Sequence, residues 1–258
     1  MQIALTIAGS DSGGGAGIQA DLKTFHRFGV YGASVITAIT AQNTLGVTGW
    51  SATAPALVRA QIDAVAGDLR PAAVKSGMLG DADVVAAVAA GLRAHGLGPY
   101  VLDPVMVATS GDLLLEPSAV RAIVEELIPL ATLVTPNLDE AELLVGFTVR
   151  DAASMERAAR TLVERLGARA ALVKGGHLDA GEAVDVLYDG VVTRFAHARI
   201  ETSSTHGTGC TLSAAVAAGL ASGEPLREAV GAALDFVHRA IATAPGLGGG
   251  HGPLNHWA

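Results

Sequence analysis

Short apolar runs alternate with helix-like segments along the chain, and this alternation restricts the possible fold more than any other feature. The helix-like periodicity is found at 17–28, 55–69, 82–95, 117–131, 138–145, 152–166 and 229–244, and in the segment after Gly209. The runs read as strands are Gln2–Ala8, Ala33–Thr40, Ala73–Met78, Tyr100–Met106, Thr132–Thr135 and Ala170–His177. Strands that alternate with helices predict a largely parallel sheet covered on both faces.

Two further features refine this α/β prediction. Asp189-Gly190 separates two β-like runs, Ala183–Tyr188 and Val191–Phe195, which is typical of a two-residue hairpin and adds an antiparallel edge. The chain contains neither an internal repeat nor a linker long enough to separate domains, so we expect one domain over residues 1–258.

Composition excludes several classes of protein. The net charge of −8 argues against a general nucleic-acid binder, which needs a basic face. A single cysteine forms no intramolecular disulfide and fits a reducing cytoplasm. The first eight residues lack the basic start of a signal peptide, and the apolar run from Val84 to Leu92 is too short to span a bilayer. We therefore expect a cytoplasmic enzyme without a membrane partner.

The segment from Thr205 to Leu220 carries the clearest chemical signal. Gly207-Thr208-Gly209-Cys210 leads into an alanine-rich helix, and the first N–H groups of a helix are free to bind an anion such as phosphate. A thiol at this position is expected to have a lowered pKa. A glycine-rich turn that only begins a helix is an equally good interpretation of these residues by themselves.

Polar or glycine-rich groups also follow most of the predicted strands, where ligands bind in open α/β sheets. They are the loop Gly9–Gly15, Gln42-Asn43, Gly77-Met78, Asp103, Asn137 with Glu140, and Lys174. Each has a plain alternative. Asp103 could bind Mg²⁺ or simply form a turn with Pro104. Lys174 could bind phosphate or be an ordinary solvated lysine. Gln42 could hydrogen-bond to the edge of an aminopyrimidine or simply face water. Asn137 and Glu140 could belong to the site, but their spacing is also that of a helix capping box.

Two more residues stay open at this point. His206 precedes the glycine turn and either polarises a substrate or makes a structural hydrogen bond. Asp21 lies one turn into the first predicted helix and is either a buried anchor for the site or a surface acid.

Together the motifs resemble the hydroxymethylpyrimidine/phosphomethylpyrimidine kinases of thiamine biosynthesis, in the same order and over essentially the whole chain. The motifs are the segments 8–21, 40–44, 75–78, 103–106, 135–141, 173–177, 206–211 and 250–256. The resemblance implies a ribokinase-like three-layer αβα fold without a separate lid domain, and a homodimer. One departure is Ser203-Ser204, where the family pattern has an asparagine before the threonine; it puts one nucleotide contact in doubt.

The resemblance also assigns roles. The pyrimidine would be read by Gln42, in a pocket formed with Gly9, Ala16, Asp21, Met78 and Val105. An anion hole would be formed by Gly207, Thr208 and Gly209, with Cys210 where related enzymes carry an aspartate base. Mg²⁺ would be organised by Asp103 and Glu140, the nucleotide would contact Asn137 and Thr205, and Lys174 would offset phosphate charge.

These roles imply ATP-dependent phosphorylation of hydroxymethylpyrimidine and then of its monophosphate. A pyridoxal kinase, or an enzyme with both activities, is the alternative within the same fold. A pyrimidine-binding sensor without catalysis is the alternative from another class.

Overall fold

The computed structural model describes residues 1–106, 117–176 and 182–258, and these form one nine-stranded sheet. Its strands are β1 (Ile3–Asp11), β2 (Tyr31–Asn43), β3 (Gly46–Ala52), β4 (Ala73–Ser76), β5 (Tyr100–Leu102), β6 (Leu133–Val134), β7 (Ala171–Val173), β8 (Glu182–Tyr188) and β9 (Val192–Ala198). The spatial order is β3-β2-β1-β4-β5-β6-β7-β8-β9. Strands from β2 to β7 in this order are parallel, while β3, β8 and β9 are antiparallel to their neighbours.

Helices cover both faces of this sheet, as the alternation predicts. They are α1 (Gly17–Arg27), α2 (Pro55–Asp68), α3 (Ala82–His95), α4 (Pro117–Ala122), α5 (Leu138–Val145), α6 (Ala152–Glu164), α7 (Thr208–Ala221) and α8 (Leu226–Ala242). One core joins the sheet to α2–α6, and a second joins its other face to α1, α7 and α8. Alternate residues of one strand serve the two cores; Leu5 faces the first core and Ala4 the second.

Local sequence signals explain several helix ends. The carboxylate of Asp81 accepts a hydrogen bond from the N–H of Val84, so Asp81 is the N-cap of α3. Gly96 ends the same helix in the left-handed conformation. The helix predicted over 117–131 is regular only to Ala122; a wide turn and a 3₁₀ turn containing Pro129 follow, because proline cannot continue the hydrogen-bond pattern.

The edges of the sheet and the end of β7 differ in part from the sequence predictions. The hairpin edge is confirmed as β8 and β9, but β3 at the opposite edge was not predicted, since its two glycines and mostly exposed side chains weaken the strand pattern. The strand predicted to reach His177 ends at Val173, and His177 lies outside the described residues. Among the described helices, none is long and apolar enough to cross a membrane.

Candidate active site

The predicted site residues meet along one edge of the sheet because its parallel strands all end there. β1 and β2 bring the glycine loop and Gln42, β4 and β5 bring Met78 and Asp103, and β6 and β7 bring Asn137 and Lys174. The start of α7 lies at the same edge, as described below. This is the place in an open α/β sheet where ligands bind.

Asp11 organises the glycine loop at the end of β1. Its buried carboxylate accepts hydrogen bonds from the backbone N–H groups of Gly13 at 2.8 Å, Gly15 at 3.0 Å and Ala16 at 2.8 Å. Burial alone would raise the pKa of Asp11, but the hydrogen bonds from His206 and Ala16 outweigh burial and lower this pKa. This role of Asp11 was not predicted, although an acid inside a glycine run is a recognisable signal for a loop built around a carboxylate.

The predicted substrate pocket lies beside this loop. Gly9 is close to Met78, since a Cβ added at Gly9 would lie 3.4 Å from the Met78 sulfur. Ala16, Met78 and Val105 are each half-buried, as expected for a pocket wall. The side chain of Gln42 is also half-buried, and its Nε2 atom lies 3.3 Å from Nε2 of His206. Gln42 therefore lies against His206, and its contact with the pyrimidine stays a prediction.

The turn before α7 holds the first N–H groups of that helix in place. Gly207 is the N-cap with a φ of 82°, a left-handed conformation that favours glycine, and its Cα packs against the backbone of Gly15. The hydroxyl of Thr208 donates to the carbonyl of Thr205 at 2.7 Å, and the N–H of Thr208 points to the same carbonyl. The N–H groups of Gly209 and Cys210 follow in the first turn, where a helix supplies no acceptor.

An ion pair stands next to this helix start. Nζ of Lys174 donates to Oδ1 of Asp103 at 3.2 Å, and the Asp103 carboxylate also accepts from the hydroxyls of Thr135 at 3.2 Å and Ser213 at 3.4 Å. Gly209 touches the pair, because a Cβ added there would lie 3.1 Å from the Lys174 nitrogen.

The lysine of this pair is largely enclosed. The side chain of Lys174 is 16% exposed, so the alternative of a freely solvated lysine is wrong. Burial alone would lower the pKa of Lys174, but the charges of Asp103 and Glu140 raise it. Lys174 therefore stays a cation beside the first turn of α7, close enough to meet an anion bound there.

Asn137 and Glu140 form a capping box at the start of α5. The N–H of Glu140 donates to Oδ1 of Asn137 at 2.9 Å, and the N–H of Asn137 donates to Oε2 of Glu140 at 2.8 Å. The structural alternative for this pair is therefore confirmed. Burial raises the pKa of Glu140 to about 7, the nearby charge of Asp103 adds to the rise, and Lys174 opposes it.

The donor set here fits one kind of metal site. Among the described residues, no group of three or more His, Cys, Asp or Glu side chains is placed to hold a metal by itself. Mg²⁺ needs only one or two carboxylates when phosphate oxygens complete its shell. The charges of Asp103 and Glu140 both act on Lys174, so these two carboxylates are the candidates to hold Mg²⁺ together with phosphate oxygens.

Cys210 differs from the sequence prediction. The thiol lies in the first turn of α7, but burial raises its pKa to about 11, Lys75 opposes this rise, and Asp21 and Asp103 add to it. The expected lowering of the thiol pKa is therefore wrong, because burial and nearby carboxylates outweigh the helix start. Cys210 is a neutral thiol at pH 7.

Asp21 lies in a sealed ion pair in the interior of the protein. Its carboxylate accepts from Nζ of Lys75 at 2.9 and 3.0 Å and from the hydroxyl of Thr6 at 2.6 Å, and both charged side chains are 0% exposed. The surface-acid alternative is wrong, and the direct substrate contact predicted for Asp21 is not present in this arrangement. The buried-anchor alternative for Asp21 agrees with this enclosure; Lys75, its partner, was not predicted.

Comparison with known proteins decides the family. The family model for phosphomethylpyrimidine kinase matches residues 11–255. The chain belongs to this family. A hydroxymethylpyrimidine/phosphomethylpyrimidine kinase of Rhizobium meliloti (strain 1021) is 59% identical over 259 residues, covering 99% of this chain and 97% of that protein.

Two further relatives of the kinase extend this picture. The thiamine biosynthesis bifunctional protein ThiED of Geobacter sulfurreducens is 54% identical over 98% of this chain, which matches 51% of that protein. The ADP complex of Bacillus subtilis pyridoxal kinase superposes with a TM-score of 0.92 at 40% identity, covering 99% of this chain and 97% of that one. The three-layer ribokinase-like fold is thereby confirmed; the described residues contain no separate lid domain.

Proposed function

We propose that this kinase transfers the γ-phosphoryl group of Mg·ATP to 4-amino-5-hydroxymethyl-2-methylpyrimidine and then to the resulting monophosphate. The product is the diphosphate used in thiamine diphosphate biosynthesis, and one domain over residues 1–258 performs both steps. The observation that carries this proposal is Gly209, which joins the anion-binding start of α7 to the Asp103–Lys174 ion pair. The names of its relatives support the substrate.

The start of α7 supplies most of the electrostatic stabilisation. Gly207, Thr208 and Gly209 form the anion hole for the transferred phosphoryl group, and Lys174 neutralises part of its charge. Oriented N–H groups and a fixed cation need no reorganisation as charge develops, which is the main requirement of phosphoryl transfer. The contacts that fix Thr208 to Thr205 keep this turn rigid before a ligand binds.

The neutral thiol of Cys210 leaves room for a second phosphate. A fixed carboxylate at this position would repel the incoming monophosphate by roughly 4 kcal/mol at about 4 Å and an effective dielectric near 20. A thiol with a pKa of about 11 carries no such charge at pH 7. Only the thiolate form of Cys210 can accept the proton of the attacking hydroxyl, so a base role for this residue should grow as pH rises toward its pKa of about 11. Near-normal turnover of Cys210→Ala on both substrates would contradict that role.

At the nucleotide end, Asn137 and Thr205 contact ATP, while Asp103 and Glu140 hold Mg²⁺. The metal, when bound, neutralises charge on the transferring phosphate groups. Use of ATP is supported by the ADP complex of the Bacillus subtilis relative. Removing the metal with a chelator should stop ADP formation, and adding Mg²⁺ should restore it.

We further propose that the enzyme is a cytoplasmic homodimer. Its single cysteine suits a reducing compartment. Exposed apolar side chains collect on β2, β3 and α2, where Ile39 is 61% exposed and Trp50 is 51% exposed, and a second subunit would cover them. Light scattering of the purified protein tests the dimer.

Pyridoxal kinase is the second candidate, favoured by the close superposition on the Bacillus subtilis enzyme. The deciding experiment compares kcat/KM for hydroxymethylpyrimidine and pyridoxal with ATP saturating. We expect the pyrimidine to be preferred. A preference for pyridoxal would overturn the proposal, and tight pyrimidine binding without ADP formation would support the sensor alternative.

A further inference from the structure

A chain of three side chains links the glycine loop, the turn before α7 and the end of β2. Nε2 of His206 lies 2.8 Å from Oδ2 of Asp11, and the same nitrogen lies 3.3 Å from the Gln42 amide. His206 is 9% exposed and Asp11 is 3% exposed, so water competes little for these contacts. The ring of His206 is therefore placed between an acid and the proposed pyrimidine reader.

Asp11 decides which atom of His206 carries a proton. Its carboxylate accepts three backbone N–H groups besides His206, and it is ionised because these donors outweigh its burial and lower its pKa. An ionised carboxylate only accepts hydrogen bonds. Nε2 of His206 must therefore be protonated and donate to Asp11.

A protonated Nε2 cannot accept a hydrogen bond from the NH₂ end of Gln42. The two ends of an amide have nearly the same shape, so their partners decide which end faces which group. The one hydrogen on Nε2 points mainly to Asp11 at 2.8 Å, and Gln42 at 3.3 Å can take only the longer branch of a bifurcated bond. For that branch the favourable end of Gln42 is its carbonyl oxygen. Rotating the amide by half a turn about its Cγ–Cδ bond provides this arrangement.

Thr40 requires the same rotation from the other side of the amide. Its hydroxyl lies 3.3 Å from the Gln42 amide but donates its one hydrogen to the carbonyl of Ser10 at 2.8 Å. The Thr40 oxygen can then only accept, which suits the NH₂ end of Gln42. Two independent neighbours thus favour one orientation.

We propose that His206, held by Asp11, fixes the Gln42 amide with its oxygen toward His206 and its NH₂ toward Thr40, and thereby makes the site select a 4-aminopyrimidine over a 4-oxopyrimidine. This inference rests on the proposed function. It makes His206 and Asp11 positioning residues for specificity, because neither needs to touch the substrate.

The selection follows from the donors and acceptors that remain. With these contacts made, Gln42 keeps one lone pair and one N–H for a ligand. A 4-aminopyrimidine offers an N–H donor at C4 and an acceptor at N3, which match this pair, whereas the 4-oxo analogue offers the reverse. The ring cannot compensate by turning over, since its hydroxymethyl group must reach the start of α7.

The test is the ratio of kcat/KM for hydroxymethylpyrimidine to that for its 4-oxo analogue, 5-hydroxymethyl-2-methylpyrimidin-4-one. His206→Phe keeps a planar ring without the N–H and should lower this ratio by about tenfold, because the Gln42 amide can then turn either way. His206→Gln restores a donor and should recover part of the ratio. His256→Phe is the matched control: His256 is also buried and contacts Thr211, so it should alter kcat or stability without altering the ratio.

The outcomes separate this inference from the proposed function. If the wild-type protein phosphorylates neither pyrimidine, the proposed function fails. If it phosphorylates the 4-amino substrate and His206→Phe leaves the ratio unchanged, only the specificity inference fails. NMR of ¹⁵N-histidine-labelled wild-type protein adds a reading independent of activity: Nε2 of His206 should be protonated at pH 8, and an unprotonated Nε2 would overturn the inference.

Discussion

Two buried lysine–aspartate pairs lie near enough to Cys210 for their charges to interact with its thiol, and they differ in how far they are sealed. Lys75 donates to both oxygens of Asp21 at 2.9 and 3.0 Å, and neither side chain is exposed. Lys174 reaches one oxygen of Asp103 at 3.2 Å and is 16% exposed. The sealed pair is fully enclosed, whereas Nζ of Lys174 and Oδ2 of Asp103 in the open pair both lie beside Gly209 at the start of α7.

The same two residue types therefore serve different purposes, depending on how completely the surrounding protein encloses the pair. A sealed pair compensates its own burial and holds β4 to α1. An open pair keeps charge available, so we assign it to phosphate and metal binding. Four experiments can break or sharpen this distinction.

Removing the lysine of the sealed pair should have the largest effect. Lys75→Met leaves the buried carboxylate of Asp21 without its cation and with only the Thr6 hydroxyl as a donor, which costs about 3–5 kcal/mol of unfolding free energy. Urea unfolding followed by circular dichroism measures this loss. The double variant Lys75→Met/Asp21→Leu should recover most of it, and the exposed Lys23→Met should lose under about 1 kcal/mol. Equal losses in the single and double variants would contradict the account.

Removing the lysine of the open pair should act mainly on turnover. Lys174→Met deletes a cation next to the anion hole, so kcat should fall by about 10²–10³-fold. Its unfolding free energy should change by only about 1–2 kcal/mol, since Thr135 and Ser213 still bind Asp103. Steady-state kinetics with Arg239→Met, which removes an exposed cation of α8, as control measures the effect, and turnover close to that of the wild type would disprove the assigned role.

Gly209→Ala tests the approach of α7 to the open pair. Its new methyl group would lie 3.1 Å from the Lys174 nitrogen and 3.6 Å from Oδ2 of Asp103, so the lysine must shift. We expect kcat to fall about tenfold through this displacement. Gly67→Ala in α2 is the control, since a Cβ there meets nothing within 4 Å and should leave kcat unchanged.

The thiol of Cys210 should react slowly with alkylating reagents at neutral pH. With a pKa of about 11, the thiolate fraction of Cys210 rises about tenfold per pH unit below that value. Alkylation by iodoacetamide, which labels this single cysteine, should therefore keep increasing from pH 7 to pH 10. Glutathione is the control, with an ordinary thiol pKa. If the alkylation rate of Cys210 reached a plateau below pH 8, the charges of the lysines, and not burial, would dominate the pKa of this thiol.

The local sequence pattern predicts the order of strands and helices well, because hydrophobic period and capping signals act over a few residues. Asp81 and the start of α5 at Leu138 illustrate this, since each depends on neighbours three residues apart. The edge strand β3 was missed because its side chains have little to bury and so leave little apolar signal.

Partners far apart in sequence could not be predicted from the residues. Lys75 and Asp21 are 54 positions apart, and His206 and Asp11 are 195 apart. The prediction of a lowered pKa for Cys210 was wrong for a related reason. The helix start is visible in the sequence, but burial and the charges of Asp21 and Asp103 come from the folded arrangement. The assigned roles of Gln42, Asn137 and Thr205 remain predictions.

The most direct test of the proposed reaction is the second phosphorylation, measured with wild-type protein and Cys210→Asp. Incubation of the wild type with Mg·ATP and the pyrimidine monophosphate should give the diphosphate and an equal amount of ADP. Cys210→Asp should keep part of the first phosphorylation and lose the second, because its carboxylate repels the phosphate already present. Wild-type protein that binds the monophosphate without forming ADP, or a Cys210→Asp variant that phosphorylates both substrates equally well, would contradict the account.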